Sequence, residues 1–163
     1  WLNVLENVEV VLKKEQKLQK RAVEILEVMG LEKFLDFFPN QLSGGMQRRV
    51  ALARSFASQP ELFLLDEPFV SLDEQMANKL RDMLLKLWTS EPTTIVFVTH
   101  DLREAVYMSD RIIILSKAPS KVILDRKIDI ERPRNITDKK IESYRNEILK
   151  ATQSIAKGDV LNA

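Results

Sequence analysis

Leu62-Phe63-Leu64-Leu65-Asp66-Glu67-Pro68 sets the reading of the whole chain. A short, continuous apolar run of this kind suits a strand buried on both faces. Here it delivers two adjacent carboxylates at its tip. A second such run, Thr94-Ile95-Val96-Phe97-Val98, closes on Thr99-His100-Asp101. Between the two, residues 74–88 carry Met76, Leu80, Leu84 and Leu87 at helical spacing. Downstream, Leu102–Met108 reads as a short helix and Arg111–Leu115 as a third strand. Val122–Leu124 is its possible hairpin partner across Lys117-Ala118-Pro119-Ser120. Strand–helix–strand–helix–strand implies a parallel sheet covered by helices, and ligands bind at the C-terminal ends of such strands, where Asp66, Glu67 and His100 fall.

Upstream the chain reads as helical. Within residues 4–29, Leu18, Ala22, Ile25, Leu26 and Met29 recur at three- and four-residue steps, with Gly30 as a C-cap. A short helix is expected over Leu31–Phe38. Pro39-Asn40-Gln41 breaks the pattern, and Ser43 caps a further helix that runs to about Ser58. After Pro133 the sequence turns polar. Ile141, Tyr144, Ile148, Leu149 and Ile155 outline a last amphipathic helix with a frayed tail.

Composition removes several classes of function. The 163 residues carry 25 Lys plus Arg against 24 Asp plus Glu, a net charge of +1, which leaves no basic footprint for nucleic acid. There is no cysteine, so a disulfide scaffold, a thiolate metal site and a cysteine nucleophile are out; one histidine, His100, excludes a multi-histidine metal centre. No apolar run approaches the roughly 18 residues needed to span a bilayer. Leu12-Lys13-Lys14-Glu15 interrupts the N-terminal apolar pattern, so no signal peptide is expected and a cytoplasmic setting is the default. The chain opens on Trp1 rather than Met, which suggests processing or a cut piece.

Three local patterns carry chemistry. In Asp66-Glu67, one carboxylate can hold Mg²⁺ while the other orients or deprotonates a water that attacks a phosphate. Such a string also closes strands as a plain solvated acidic turn. In Leu42-Ser43-Gly44-Gly45-Met46-Gln47, two glycines after a serine open a helix and let the backbone approach an anion. The plain alternative is a capped helix start with a tight turn. His100 follows a strand and can donate to a phosphate or a water; a lone histidine there is also a common structural residue.

The order LSGGMQ (42–47), LLDEP (64–68), SLDE (71–74), VTHD (98–101) closely resembles the ATP-binding cassette (ABC) family. Arg48-Arg49-Val50-Ala51-Leu52-Ala53-Arg54 continues its signature helix. The resemblance implies an α/β fold: a partial P-loop NTPase-type ABC ATPase domain, with a helical subdomain followed by a parallel-sheet core and covering helices. It implies three parts, residues 1–42 (helical subdomain), 43–124 (signature helix, Walker B, D-loop and switch-histidine core) and 125–163 (C-terminal extension with a helix). Asp66 corresponds to the Walker B carboxylate that binds Mg²⁺, Glu67 to the catalytic glutamate and His100 to the switch histidine. Ser43, Gly44, Gly45 and Gln47 of the signature and Asp73 of the D-loop would contact ATP. Val70 departs from the small polar residue often found there, and the hairpin at Ala118-Pro119-Ser120-Lys121 lacks the glycine common in the family.

The family pattern also includes a P-loop, G-x-x-x-x-G-K-[ST], whose amides and lysine hold the phosphates. The four glycines, Gly30, Gly44, Gly45 and Gly158, give no such spacing. In the family the P-loop lies upstream of the helical region, so the chain is expected to be the C-terminal two-thirds or so of the domain. Alone it is expected to hydrolyse little or no ATP, because phosphoryl transfer depends on positioning and charge. An open apolar sheet face is expected as well, covered by self-association or by a larger assembly.

The opening Trp1-Leu2-Asn3-Val4-Leu5-Glu6-Asn7-Val8 resembles bacterial importer ATPases of the nitrate, sulfonate and taurine group. That resemblance implies a second ATPase subunit paired head to tail, transmembrane permease subunits and, indirectly, a periplasmic solute-binding protein, but no nucleic acid. It places the chain peripherally at the cytoplasmic face of the inner membrane. Leu2, Val4, Leu5, Phe34, Phe37 and Phe38 are candidates to meet the permease, or equally form the subdomain's small core. Two other readings remain at this point: a soluble ABC ATPase outside transport, and a non-catalytic short chain that supplies only a signature face to a partner.

Overall fold

The computed structural model describes residues 1–12 and 16–159. The chain divides after Val98 into two compact units.

In the first unit, α1 (Val4–Glu9) begins on a capping box: Asn3 Oδ1 accepts from Glu6 N at 2.8 Å and Glu6 Oε2 accepts from Asn3 N at 2.8 Å. The helical stretch read over residues 4–29 is two helices. α1 ends near Val10, α2 spans Gln16–Val28, and residues 13–15 between them lie outside the described ones. The assignment of Leu18 to the apolar face, like that of Ile155 below, falls on side chains outside the described ones. Gly30 ends α2 with φ +64°, donating to Glu27 O at 2.9 Å while Leu31 N donates to Leu26 O at 2.9 Å. This two-bond closure uses a left-handed residue, which glycine adopts without a Cβ penalty, and Leu31 seals it by full burial.

The short helix expected over Leu31–Phe38 does not form; the segment is a series of turns. Its carbonyls are used elsewhere. Phe37 O accepts from Val4 N at 2.9 Å and Leu35 O from Leu5 N at 3.0 Å, satisfying the first donors of α1. Pro39–Gln41 is one 3₁₀ turn before Ser43.

α3 (Gly44–Ala57) is capped by Ser43, and α4 (Glu74–Ser90) by Asp73. α1 and α2 pack on α3, and α2 also meets α4. Their buried residues include Val4, Val8, Leu26, Phe56, Leu80 and Leu84, each contributing roughly 1.5–3 kcal/mol when large and fully buried.

β1 (Leu62–Asp66) and β2 (Thr94–Val98) pair in parallel with Leu64 opposite Val96 and Asp66 opposite Val98. The pair is not buried on both faces, and the open apolar sheet face expected from the sequence is present. Phe63 is buried and its ring meets Phe56 edge-on at 4.6 Å, but Leu64 is 67% exposed. Leu62, Val96 and Val98 share that exposed face. The helices of this unit cover one side of the pair, and the sequence alternation is apolar on both.

In the second unit, α5 (Leu102–Met108) starts from Asp101, whose carboxylate accepts from Arg103 N and Glu104 N. β3 (Arg111–Leu115) does not extend the parallel sheet. It pairs antiparallel with β4 (Val122–Lys127), three residues longer than the hairpin partner read from sequence, with an irregularity between Ile114 and Leu115. α6 (Lys139–Asp159) packs on α5 and β4 through a core of Val106, Ile112, Ile128, Ile141 and Ile148. The frayed tail expected after it falls partly on residues 160–163, outside the described ones. Arg134, with its side chain 2% exposed, donates to the carbonyls of Ile130, Val106 and Ser109, and so closes the C-terminal turn of α5.

Candidate functional site

The first turn of α3 is open at the surface. Ser43 Oγ accepts from Met46 N at 3.3 Å, which leaves the hydroxyl proton free to be donated outward. Ser43 and Gly44 are exposed, and a Cβ on Gly44 would meet nothing within 4 Å. The leading N–H groups of a 14-residue helix carry its positive end, so a phosphate finds donors and a favourable field there. Gly45 lies close to α4: a Cβ there would come within 2.6 Å of Met76 Cε, the end of a flexible side chain that would have to shift. The close approach brings the start of α3 against the first turn of α4, whose N-cap is Asp73; Asp73 Oδ1 accepts from Met76 N at 2.9 Å. The amide of Gln47 is used inside the chain, donating to Pro39 O at 2.8 Å and Leu42 O at 3.3 Å. It therefore fixes the 3₁₀ turn that leads into the helix.

Asp66 is exposed at the tip of β1 and Glu67 follows it, half-buried. Glu67 adopts φ +46° and Ser71 φ +65°, left-handed conformations that cost a non-glycine residue of order 1 kcal/mol or more each. Glu67 N donates to Val98 O at 3.0 Å, which registers the turn on the end of β2. Two turns follow, Val70 N to Glu67 O and Leu72 N to Phe69 O, both at 3.3 Å. Arg48 of α3 braces them, donating to Val70 O at 2.7 Å and Glu67 O at 3.0 Å. The next arginine, Arg49, faces the other way and donates to Met29 O at 2.8 Å, at the end of α2. Burial lowers the Arg49 guanidinium below its usual value, against a smaller raising effect of Glu32.

The first unit therefore brings Ser43, Gly44, Gly45, Gln47 and Asp73 together around two helix N-termini, and ties the same α3 to the Asp66–Glu67 turn. His100 belongs to the second unit, exposed in the turn before α5. That turn is held by Thr99, whose hydroxyl donates to the buried carboxylate of Glu104 while its oxygen accepts from Asp101 N at 3.1 Å. Sequence reasoning singled out neither Arg48 nor Glu104 as part of the site. Among the described residues, no group of three or more His, Cys, Asp or Glu is arranged to hold a metal by itself. A single carboxylate such as Asp66 suits Mg²⁺ shared with substrate phosphates and water, which is how that ion is usually held in nucleotide sites.

Comparison with known proteins shows the family. A family model described as ABC transporter matches residues 1–70. An ABC transporter ATP-binding protein of Methanocaldococcus jannaschii is 44% identical over 100% of this chain and 61% of its own length. The aliphatic sulfonates import ATP-binding protein SsuB of Bacillus thuringiensis subsp. konkukian is 39% identical over 91% of this chain and 60% of its own length. Thus the chain spans about three-fifths of these curated relatives. Among solved structures, a dimeric post-hydrolysis state of the ATP-binding cassette MJ0796, bound to ADP and Pi, superposes with a TM-score of 0.63 at 38% identity. It covers 80% of this chain and 58% of that one.

Proposed function

From the premise that the chain belongs to the ABC transporter family of ATP-binding domains, with the α/β cassette fold of that family, we propose that it is part of the ATPase subunit of a solute importer. The observation that carries this is the open, capped start of α3 at Ser43-Gly44-Gly45, tied through Arg48 to the carboxylate turn at Asp66-Glu67.

The chemistry divides between two ATP molecules in a head-to-tail pair. Ser43 donates its hydroxyl proton, and Gly44 and Gly45 present backbone amides, to the γ-phosphate of ATP held by the partner subunit. Asp73 meets the same interface from the start of α4, and Gln47 keeps the approach to the helix in place. On the chain's own ATP, Glu67 accepts the proton of the attacking water as its oxygen bonds to the γ-phosphorus, and the bond from that phosphorus to the bridging oxygen breaks. His100, matched to the family's switch histidine, is a candidate donor of a ring N–H to a phosphate or a water. Asp66 would hold Mg²⁺, which neutralises charge on the β- and γ-phosphate oxygens when bound. The residues that grip the triphosphate belong to a P-loop that these 163 residues do not contain. Alone, therefore, they hydrolyse little or no ATP.

Permease subunits and, through them, a solute-binding protein are the partners of this reading, and the setting is the cytoplasmic face of the membrane. No described helix is long and apolar enough to cross a membrane. Leu2, Phe37 and Phe38 are exposed and suit a permease contact; Val4 is fully buried and serves the core instead. The direct test compares Mg²⁺-dependent ATP hydrolysis by these 163 residues with that of a P-loop-containing form. Turnover by the longer form only supports the reading. Ready turnover by the 163 residues alone, or none by either, contradicts it.

A further inference from the structure

We propose that Arg48 is a positioning residue that sets the direction of the Glu67 carboxylate by clamping the turn that follows it. The inference rests on the reading of Glu67 as the group that receives the proton of the attacking water.

The turn from Glu67 to Leu72 holds an uncommon backbone conformation. Its two left-handed residues, Glu67 and Ser71, are neither glycine nor asparagine. Its two internal turn bonds are both 3.3 Å, longer than the usual N–H···O distance. Such a conformation persists only where the surroundings over-determine it. These carbonyls are restrained from outside the turn by the Arg48 guanidinium, whose two outer nitrogens reach Val70 O at 2.7 Å and Glu67 O at 3.0 Å. Charge-assisted and two-pronged, this contact is stronger and more directional than a single neutral bond. One prong ends on the carbonyl of Glu67 itself. The other ends three residues later, so the clamp spans the first turn and fixes the peptide plane that follows the Glu67 side chain. A φ near +46° aims a side chain very differently from an extended backbone, and a displacement of about 1 Å costs a catalytic group heavily.

The clamp has a second consequence. Arg48 lies one helical turn beyond Gly44 on α3. The helix whose first turn would cap the partner's ATP therefore carries the side chain that shapes the turn acting on its own ATP. Seating of a phosphate at Ser43 and Gly44 and the aim of Glu67 are linked through one rigid helix and one guanidinium.

The test uses a P-loop-containing form with Arg48→Ala, Arg48→Lys and, as a control for the underlying reading, Glu67→Gln. Steady-state ATP hydrolysis gives kcat and KM separately, and hydrogen exchange reports the amides of Val70 and Leu72. The proposal expects Arg48→Ala to lower kcat at least about tenfold while KM for ATP changes less than about twofold, with Arg48→Lys recovering part of the loss. Faster exchange at Val70 and Leu72 should accompany the loss in Arg48→Ala. A kcat within twofold of the parent, or unchanged exchange, overturns it. So does a fall in kcat that comes with an equal loss of thermal stability and is not recovered by lysine, since that marks a merely structural arginine. Should Arg48→Ala fail to fold, Arg48→Lys carries the same test, because one ammonium cannot reproduce both prongs and must give an intermediate kcat and exchange. Full turnover by Glu67→Gln would instead remove Glu67 from its role, whatever Arg48 does to the turn.

Discussion

Ser43 has two duties that a pair of substitutions separates. Its oxygen caps α3, and its proton is available to a phosphate. The cap bond to Met46 N is 3.3 Å, which puts its contribution at the weak end of N-caps, about 0.5 kcal/mol. A hydrogen bond to a charged phosphate contributes about 1.5–3 kcal/mol, and each 1.4 kcal/mol is a tenfold change in equilibrium. Two symmetric sites in a pair double that, to about 3–6 kcal/mol, or roughly two to four orders of magnitude in ATP-driven pairing. Ser43→Ala should therefore cost little stability and much pairing. Ser43→Asp is the sharper probe. Aspartate caps a helix as well as serine and suits the positive end of α3, so stability should hold or rise slightly. Its charge faces the phosphate, so pairing should be abolished. The assay is sedimentation of a P-loop-containing form carrying Glu67→Gln, titrated with ATP, alongside its thermal melt. Ser43→Asp pairing like its parent would refute the reasoning. So would a loss of pairing in Ser43→Ala that merely tracks its loss of stability.

Other expectations concern the scaffold. Phe63→Ala removes the ring that packs on Phe56 at 4.6 Å and should cost about 3–5 kcal/mol in denaturant unfolding of the 163-residue chain; a cost below about 1 kcal/mol would mean the β1 face is not buried as described. Arg134→Met leaves the carbonyls of Ile130, Val106 and Ser109 without their buried donor, at about 1–3 kcal/mol for each group left unsatisfied, and should speed amide exchange through α5. An unchanged exchange pattern would exclude the arginine as the hub of that unit. Asp125, hydrogen-bonded and paired to Arg111, has its carboxyl held below the ordinary value of 3.8. A depressed carboxyl stabilises above its unfolded value, and the effect is lost as pH falls through the folded one. Asp125→Asn should therefore be less stable than the parent at neutral pH, and the difference should vanish as pH falls through that acid range; a difference that persists unchanged into acid would contradict the pairing.

Much of this was legible locally, because caps and turns are written in single residues. Gly30 and Ser43 each sit where their side chain, or its absence, closes a helix end; the caps at Asp73 and Asp101 emerge only in the structure. The strands at 62–66 and 94–98 were legible for the same reason, as short apolar runs between breakers. What failed depended on partners distant in sequence. Leu31–Phe38 has a helical composition, yet its carbonyls serve the start of α1. A continuous apolar strand does not say which face is covered, and here Leu62, Leu64, Val96 and Val98 stay exposed. Arg48 was visible as a continuation of the signature helix, but nothing local marks a guanidinium that reaches carbonyls 19 and 22 residues away. The types and order of the candidate residues stand in the sequence, and the bracing around them does not.

The central claim is that Glu67 completes hydrolysis at a site closed by a partner's Ser43-Gly44-Gly45. The measurement that tests it most directly is nucleotide content and oligomeric state of a P-loop-containing Glu67→Gln form incubated with Mg²⁺ and ATP. The account predicts unhydrolysed ATP retained at two per pair, a stable dimer and turnover lost by orders of magnitude. A monomer that still turns over ATP at the parent rate would contradict it.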